Sequence, residues 1–268
     1  MTNIFREPFM LTALLAGLIT GLACAYLGVF IVLKRIVFMG IALAEVAALG
    51  VALGLFIGAN PFACASALTL IGVIIFWAAH TERSLSRESF IGFIYVFCAS
   101  LAVLLIAKNP MAEARGINLI SGNLLYTTWQ DIVVLGTAVL LVMSAHLAFF
   151  KKFLFISFDK ETAFTAGINT NALDLLLYVT IGITISLATK MCGVLFVFAS
   201  LLVPAMIGLV IARRVRSIFI IACLSSSFCV IAGLILSYIW DLPTSPMIVV
   251  LYSALFAMIA GIRFITTK

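Results

Sequence analysis

One carboxylate, Glu45, lies in the middle of an apolar stretch, in the sequence GIALAEVAALG at positions 40–50. A carboxylate at membrane depth costs roughly 2.5–3.5 kcal/mol, so such a residue indicates a transport pathway, a proton relay or an ion site. One helical turn away on the same face are Ile41 and Leu49, which cannot bind a cation. Divalent ions need several ligands, so Glu45 alone predicts at most part of a metal site. The alternative is a protonated Glu45 that is hydrogen-bonded to a neighbouring helix.

A polar segment, FISFDKETAFTAGIN at 155–169, interrupts the apolar pattern. Four of its residues are typical of a short helix, namely the N-cap Asp159, the first-turn acid Glu161, the helix former Ala163 and the C-terminal Gly167. We therefore predict a helix of about two turns that lies across one membrane face. Phe158 and Phe164 give this helix an apolar side, which either packs under the protein's own helices or docks on another protein.

The sequence contains none of the common catalytic motifs. It has no G-x-x-x-x-G-K-S/T phosphate loop, no H-E-x-x-H and no G-x-S-x-G, and these are the patterns of ATPases, zinc proteases and serine hydrolases. Its six cysteines form no C-x-x-C pair, which argues against a zinc knuckle. We expect a protein that is not an enzyme and binds no cofactor itself, so that energy for any pumping comes from a partner or an ion gradient.

The composition places these residues in a membrane. Of 268 residues, 65% are hydrophobic and 10% are charged, and the mean hydropathy is +1.31, far from the composition of a soluble domain. The length leaves room for eight to ten membrane-spanning helices. We predict an all-α polytopic membrane protein whose residues 1–268 form a single domain. A net charge of +6 then reflects membrane topology, and nucleic-acid binding is not expected.

Apolar runs between charges and turn residues predict nine spans. Their ranges are 9–33, 36–58, 61–79, 89–107, 131–150, 171–189, 191–212, 217–240 and 246–265. If the loop with Lys34 and Arg35 is cytoplasmic, 12 of the 16 Lys and Arg residues fall on the inner side and four on the outer side. The positive-inside rule then favours an outer N-terminus and a cytoplasmic C-terminus.

Small and helix-breaking residues suggest how these spans pack. Glycines four residues apart in 17–21 and 50–58 let helix backbones approach closely, and we expect the first two spans to pack tightly against each other. Pro204 lies inside the seventh span and removes a backbone hydrogen bond, which predicts a kink or local unwinding with a gating or a merely structural role. Between the fourth and fifth spans, the segment 108–130 has an apolar middle part, INLISGNLLYTTW, that is too short to span the membrane and suits a re-entrant or interfacial element.

Several segments together resemble the permeases of the zinc/manganese/iron class of ABC importers. The matching segments, which occur in the family's order, are KRIVFMGIALAEVAALGVALG (34–54), SRESFIGFIYVFCASLAVLL (86–105), SGNLLYTTWQDI (121–132), FISFDKETAFTAGIN (155–169), CGVLFVFASLLVPAMIG (192–208) and LSYIWDLPTSPMIVV (236–250). The resemblance implies a homodimeric permease in a bacterial-type inner membrane. It also implies a cytoplasmic ATPase subunit that holds ATP and Mg²⁺, and an extracytoplasmic substrate-binding protein.

The resemblance also assigns residues. It implies that the segment with Asp159, Glu161, Ala163 and Gly167 contacts the ATPase, which favours docking over self-packing of its apolar side. The family typically has D-A-L-S-H in the second helix, where the Asp and His line the metal pathway. This chain has I-A-L-A-E there, so Ile41 stands in the Asp position and Glu45 in the His position.

This departure leaves the cargo open, because an apolar side chain cannot bind a metal ion and a carboxylate favours harder cations than an imidazole. The leading hypothesis is a permease for zinc, manganese or iron ions, with Glu45 on the pathway. A metal chelate or a non-metal solute is the first alternative, and a transporter driven by an ion gradient through Glu45 is the second.

Overall fold

The computed structural model describes residues 8–78, 87–108, 124 and 127–266, and in these residues the regular structure is helical throughout. Its ten helices are α1 (Pro8–Leu33), α2 (Val37–Ile57), α3 (Pro61–Ala78), α4 (Arg87–Ala107), α5 (Trp129–Phe158), α6 (Lys160–Thr165), α7 (Thr170–Cys192), α8 (Val194–Ile211), α9 (Val215–Trp240) and α10 (Thr244–Thr266). All but α6 are long and apolar enough to cross a membrane. The prediction of an all-α protein with nine spans is confirmed for the described part of the chain.

Two helix boundaries differ from the prediction. Helix α5 continues to Phe158, eight residues beyond the predicted end at 150, because 151–158 contain no residue that breaks a helix and Lys151 and Lys152 remain exposed. Helices α7 and α8 separate at Gly193, not at Lys190. Gly193 has φ 82° and ψ 162°, a backbone conformation essentially confined to glycine, so the chain turns there.

Helix α7 lies at the centre of the bundle, against α1, α2, α3, α5 and α8. On one side of it, α2 packs closely with α3 and α4; on the other, α1 packs with α8 and α9, and α10 covers α8 and α9. Helix α7 is accordingly buried over most of its length, whereas α10 and α4 expose most of their apolar surface, as expected of helices that face lipid.

The glycines let helix backbones approach closely, but the helices that approach each other are not the pair that was predicted. On α1, a Cβ at Gly21 would meet Ser226 and Val230 of α9, and on α2 a Cβ at Gly50 would meet the backbone of α3. Helices α1 and α2 contact each other only slightly. The expectation that they pack tightly together is therefore wrong, because the small faces of consecutive helices point to different neighbours.

Pro204 does not unwind its helix. Helix α8 is continuous from Val194 to Ile211 with Pro204 buried inside it, so a break of the helix is not observed and the gating role stays a prediction. Most of the predicted interfacial element, 109–123 with 125 and 126, lies outside the described residues. Leu124, which the structure does describe, is fully buried.

Candidate functional site

Glu45 lies on α2 and is only partly buried, although its neighbours Ala44 and Val46 are almost fully covered. Ile41, one turn earlier on the same helix, is partly exposed as well. Among the described residues, the Glu45 side chain makes no hydrogen bond and no ion pair, so the bond to a neighbouring helix that would satisfy a protonated Glu45 is not seen there. A carboxyl group without a polar partner in an apolar membrane helix costs free energy. This cost is the physical reason to expect a partner that binds Glu45 transiently.

The thiol of Cys98 on α4 lies close enough to Glu45 to interact with it electrostatically. Val46, Leu49 and Ala102 pack with Cys98 in a small apolar cluster between α2 and α4. In the part of the chain that the structure describes, no three His, Cys, Asp or Glu side chains converge on one point. One chain thus brings a carboxylate and a thiol together on this side of α2, which is fewer ligands than a divalent ion prefers.

The short helix predicted after α5 is present as α6, and both of its ends are built as the sequence indicates. The Asp159 carboxylate accepts a hydrogen bond from the Thr162 backbone amide at 2.9 Å and another from the Thr162 hydroxyl. At the other end, Gly167 has φ 80°, and the amides of Gly167 and Ile168 donate to the carbonyls of Phe164 and Ala163. This is the Schellman arrangement, which favours glycine at the left-handed position.

One side of α6 packs against the bundle, and the other side, together with the end of α5, is exposed and carries the charged N-cap. Ala163 is fully buried against the protein, whereas Phe158 and Phe164 are 61% and 69% exposed. The self-packing alternative for these two aromatic rings is therefore wrong. The hydrogen bonds from Thr162 lower the pKa of Asp159 below its ordinary value, so this end of α6 is negatively charged at neutral pH.

The sequence analysis missed Asp174, which holds α6 to the rest of the molecule. Asp174 lies near the start of α7 with its side chain only 6% exposed, and it forms two ion pairs, with Lys34 Nζ at 2.6 Å and with Lys160 Nζ at 2.7 Å. Lys34, itself only 8% exposed, also donates to the Ile156 carbonyl oxygen at 3.4 Å. The sequence hint of this role was that Asp174 is an acid four residues into a predicted span. An acid at that position is equally well explained as an ordinary carboxylate that stabilises the start of a helix.

A third ion pair lies at the opposite end of α7. Lys190 Nζ lies 2.9 Å from Asp131 Oδ1 and 4.6 Å from the centre of the Phe62 ring. Asp131 also forms a capping box with Thr128 at the start of α5. This group ties the ends of α3, α5 and α7 together on the side of the bundle away from α6.

The chain is similar in sequence and in fold to several known proteins. The family model described as the ABC 3 transport family matches residues 6–262. The chain is 31% identical to the high-affinity zinc uptake system membrane protein ZnuB of Haemophilus influenzae, over 92% of this chain and 94% of that protein. It is 25% identical to the manganese transport system membrane protein MntC of Halalkalibacterium halodurans, over 96% and 88%. Among solved structures, PsaBC from Streptococcus pneumoniae in complex with Fab matches with a TM-score of 0.84 and 23% identity, over 96% of this chain and 93% of that one.

Proposed function

The chain belongs to the ABC 3 transport family and is the membrane-spanning permease subunit of a metal ABC transporter, and we propose that it imports a divalent transition-metal ion, zinc, manganese or iron. The observation that carries the proposal is the family match, which extends over 6–262 and so over all nine spans. The two relatives named above are membrane proteins of a zinc and a manganese transport system. Which of these metals this chain carries would depend on the ligands that the chain itself provides.

ATP would be hydrolysed by a separate cytoplasmic subunit that docks on α6. Support for this docking comes from the exposed surface around α6. Phe158 at the end of α5, the negative N-cap Asp159 and Phe164 on α6 face solvent, while Ala163 faces the bundle. Changing Asp159 and Glu161 together to alanine removes the N-cap and a first-turn charge without touching buried surface. We expect weaker copurification of the ATPase subunit with a permease that remains folded; unchanged copurification and unchanged transport-stimulated ATP hydrolysis would contradict the docking site.

Glu45 would line the translocation pathway and bind the ion transiently, with the Cys98 thiol as a second ligand. The pair suits a passing ion better than a resident one, since few ligands means weak binding and fast release. Ile41 supplies no ligand, and Pro204 on α8 would take part in the change between outward- and inward-facing states. Those two states would be biased by nucleotide binding in the partner.

The assembly that this function requires is a homodimer of the permease with two ATPase subunits, fed by an extracytoplasmic metal-binding protein. The protein would be a multi-pass component of a bacterial-type inner membrane, with the N-terminus outside and the C-terminus cytoplasmic. The charge distribution of the loops supports this orientation, and the structure is compatible with it, since Lys34 and Lys160 meet at one end of the bundle.

The test is metal uptake into proteoliposomes that contain the permease with its ATPase subunit and binding protein. Zinc, manganese and iron are supplied separately and accumulation is measured by elemental analysis. We expect one ion to accumulate with ATP in the wild type and to be lost in Glu45→Ala. The exposed Glu88 at the start of α4 gives the control Glu88→Ala, which should transport normally. An equal loss in both variants would contradict a pathway role for Glu45.

The replacement of the family's pathway Asp by Ile41 favours a second candidate, a metal chelate or a non-metal solute as cargo. A complexed cargo needs fewer protein ligands, in keeping with the pair that one chain provides. This candidate predicts no ATP-dependent accumulation of any free ion in a complex whose ATPase is active and stimulated by the binding protein. Accumulation of a free ion would exclude it.

A further inference from the structure

The Asp174 carboxylate joins two parts of the chain that are far apart in sequence. One of its oxygens meets Lys34, in the turn between α1 and α2, and the other meets Lys160, the first residue of α6. The three side chains form what we call the Asp174 bridge. Since Lys34 and Asp174 are almost fully buried while Lys160 is 52% exposed, the bridge runs from the interior of the bundle to its surface.

Both ends of the bridge are fixed to rigid backbone. The turn after α1 is closed by hydrogen bonds from the amides of Arg35 and Ile36 to the carbonyls of Val32 and Ile31, with Arg35 in the left-handed region at φ 57°. Helix α6 is closed by the corresponding arrangement at Gly167. A displacement of α6 that pulls Lys160 is therefore passed on to the helices that flank Lys34, and is not absorbed by a flexible loop.

The space around the bridge is open. A cavity of about 660 Å³ lies between α6 and the turn, and its lining includes Lys34, Phe158, Lys160 and Asp174. Since packed side chains do not fill this space, the polar contacts described across it are the two ion pairs and the hydrogen bond from Lys34 Nζ to the Ile156 carbonyl oxygen. From the turn, α2 runs straight to Glu45, eight residues or roughly 12 Å beyond Val37.

We propose that Asp174 is a positioning residue that transmits movement of α6 to the pathway helix α2 through Lys160 and Lys34. This proposal rests on the proposed function, because it assumes that the ATPase subunit moves α6. Two lysines facing each other without the carboxylate between them would repel, so loss of the bridge separates α6 from the turn. The ATPase subunit would still bind, because Phe158 and Phe164, the exposed rings of the proposed docking surface, are not part of the bridge.

The decisive variant is Lys160→Met, which cuts only the outer half of the bridge and leaves the buried Lys34–Asp174 pair intact. Its matched control is Lys151→Met, which removes an exposed lysine at the end of α5. Asp174→Asn and Asp174→Glu form a second pair, in which only Glu keeps the charge. Each variant is reconstituted with the ATPase subunit and the binding protein. Metal uptake per ATP hydrolysed, stimulation of ATP hydrolysis by the binding protein, and ATPase copurification are then measured.

We expect Lys160→Met to copurify normally with the ATPase subunit and to lose coupling, with uptake per ATP reduced roughly fivefold or more. Asp174→Asn should behave alike, and Asp174→Glu should restore part of the coupling. Wild-type coupling in Lys160→Met, or an equal loss in Lys151→Met, would overturn the proposal. If the wild type accumulates no metal, the metal cargo is what fails, and stimulation of ATP hydrolysis still tests the bridge.

Discussion

Asp159 shows at the scale of one residue how charge and helix structure are linked at the end of the bundle that carries α6. Its carboxylate caps α6 through Thr162, and the same bonds lower its pKa. A group whose pKa is lowered by folding stabilises the folded state above its ordinary pKa, and this stabilisation is lost as the pH falls through the lowered value. The cap is therefore complete at neutral pH and fails only in acid.

Asp159→Asn tests this linkage, since asparagine caps helices about as well as aspartate but does not titrate. We expect the wild-type α6 amides to lose protection from hydrogen exchange below about pH 4, near the ordinary aspartate pKa, and those of Asp159→Asn to change little. Comparing both proteins at each pH removes the intrinsic exchange rate. Parallel profiles in the two proteins would show that the carboxylate charge does not hold α6.

The residue types and positions on α6 could be read from the sequence because helix caps are local. Asp159 and Gly167 act on amides within three residues of themselves, so spacing alone reveals them. Asp174 could not be found in this way. Its partners are 140 and 14 residues away along the chain, and an acid near a helix start has an ordinary local explanation.

At the scale of the helices, close backbone contact between α1 and α8 depends on Gly28. A Cβ at this position would overlap the carbonyl oxygen of Leu201, so Gly28→Ala must push the two helices apart. We expect a loss of about 3 kcal/mol in stability, measured as a lower midpoint of thermal unfolding in detergent. Gly261→Ala on α10 is the control, because a Cβ there meets nothing within 4 Å. Equal midpoints in the two variants would contradict the packing of α1 on α8.

The two exposed aromatic rings at the end of α5 and on α6 give a prediction about docking of the ATPase subunit. Phe158→Ala together with Phe164→Ala removes two exposed rings, so the stability of the isolated permease should hardly change. Binding of the ATPase subunit should weaken more than tenfold, which corresponds to about 1.4 kcal/mol or more and is typical of aromatic side chains at an interface centre. Phe228→Ala, at a 63% exposed ring on α9, is the control and should bind normally. Unchanged binding in the double variant would place the interface elsewhere.

The number of membrane-spanning helices could be predicted from the composition and the apolar runs. Which helices pack against each other could not. Each span is a long apolar run, and a run of that length has one stable form in lipid. The glycine pattern indicated that α1 and α2 approach a helix closely, but the partner predicted for each, the other of the two, was wrong. The information that identifies the partner resides in the shape of the partners, such as Val230 on α9 and Ala65 on α3, and not in the spacing of the glycines.

At the scale of the whole molecule, α7 connects the two membrane faces. The Asp174 bridge lies at one of its ends and the Lys190–Asp131 pair at the other, and between them α7 packs against five other spans. A rigid central helix with charged contacts at both ends suits a permease in which events on the cytoplasmic side must reach the outer side. No local sequence pattern indicates this arrangement, because it depends on pairs of residues in different helices.

The most direct test of the account is the energy source for metal uptake by the reconstituted complex. Accumulation of zinc, manganese and iron is measured in sealed vesicles with ATP, before and after ionophores collapse the membrane potential and the pH gradient. We predict that uptake of one of these ions requires ATP and the partner subunit and persists when both gradients are collapsed. Uptake driven by a gradient without ATP, and abolished by the ionophores, would contradict the assignment as an ABC importer permease.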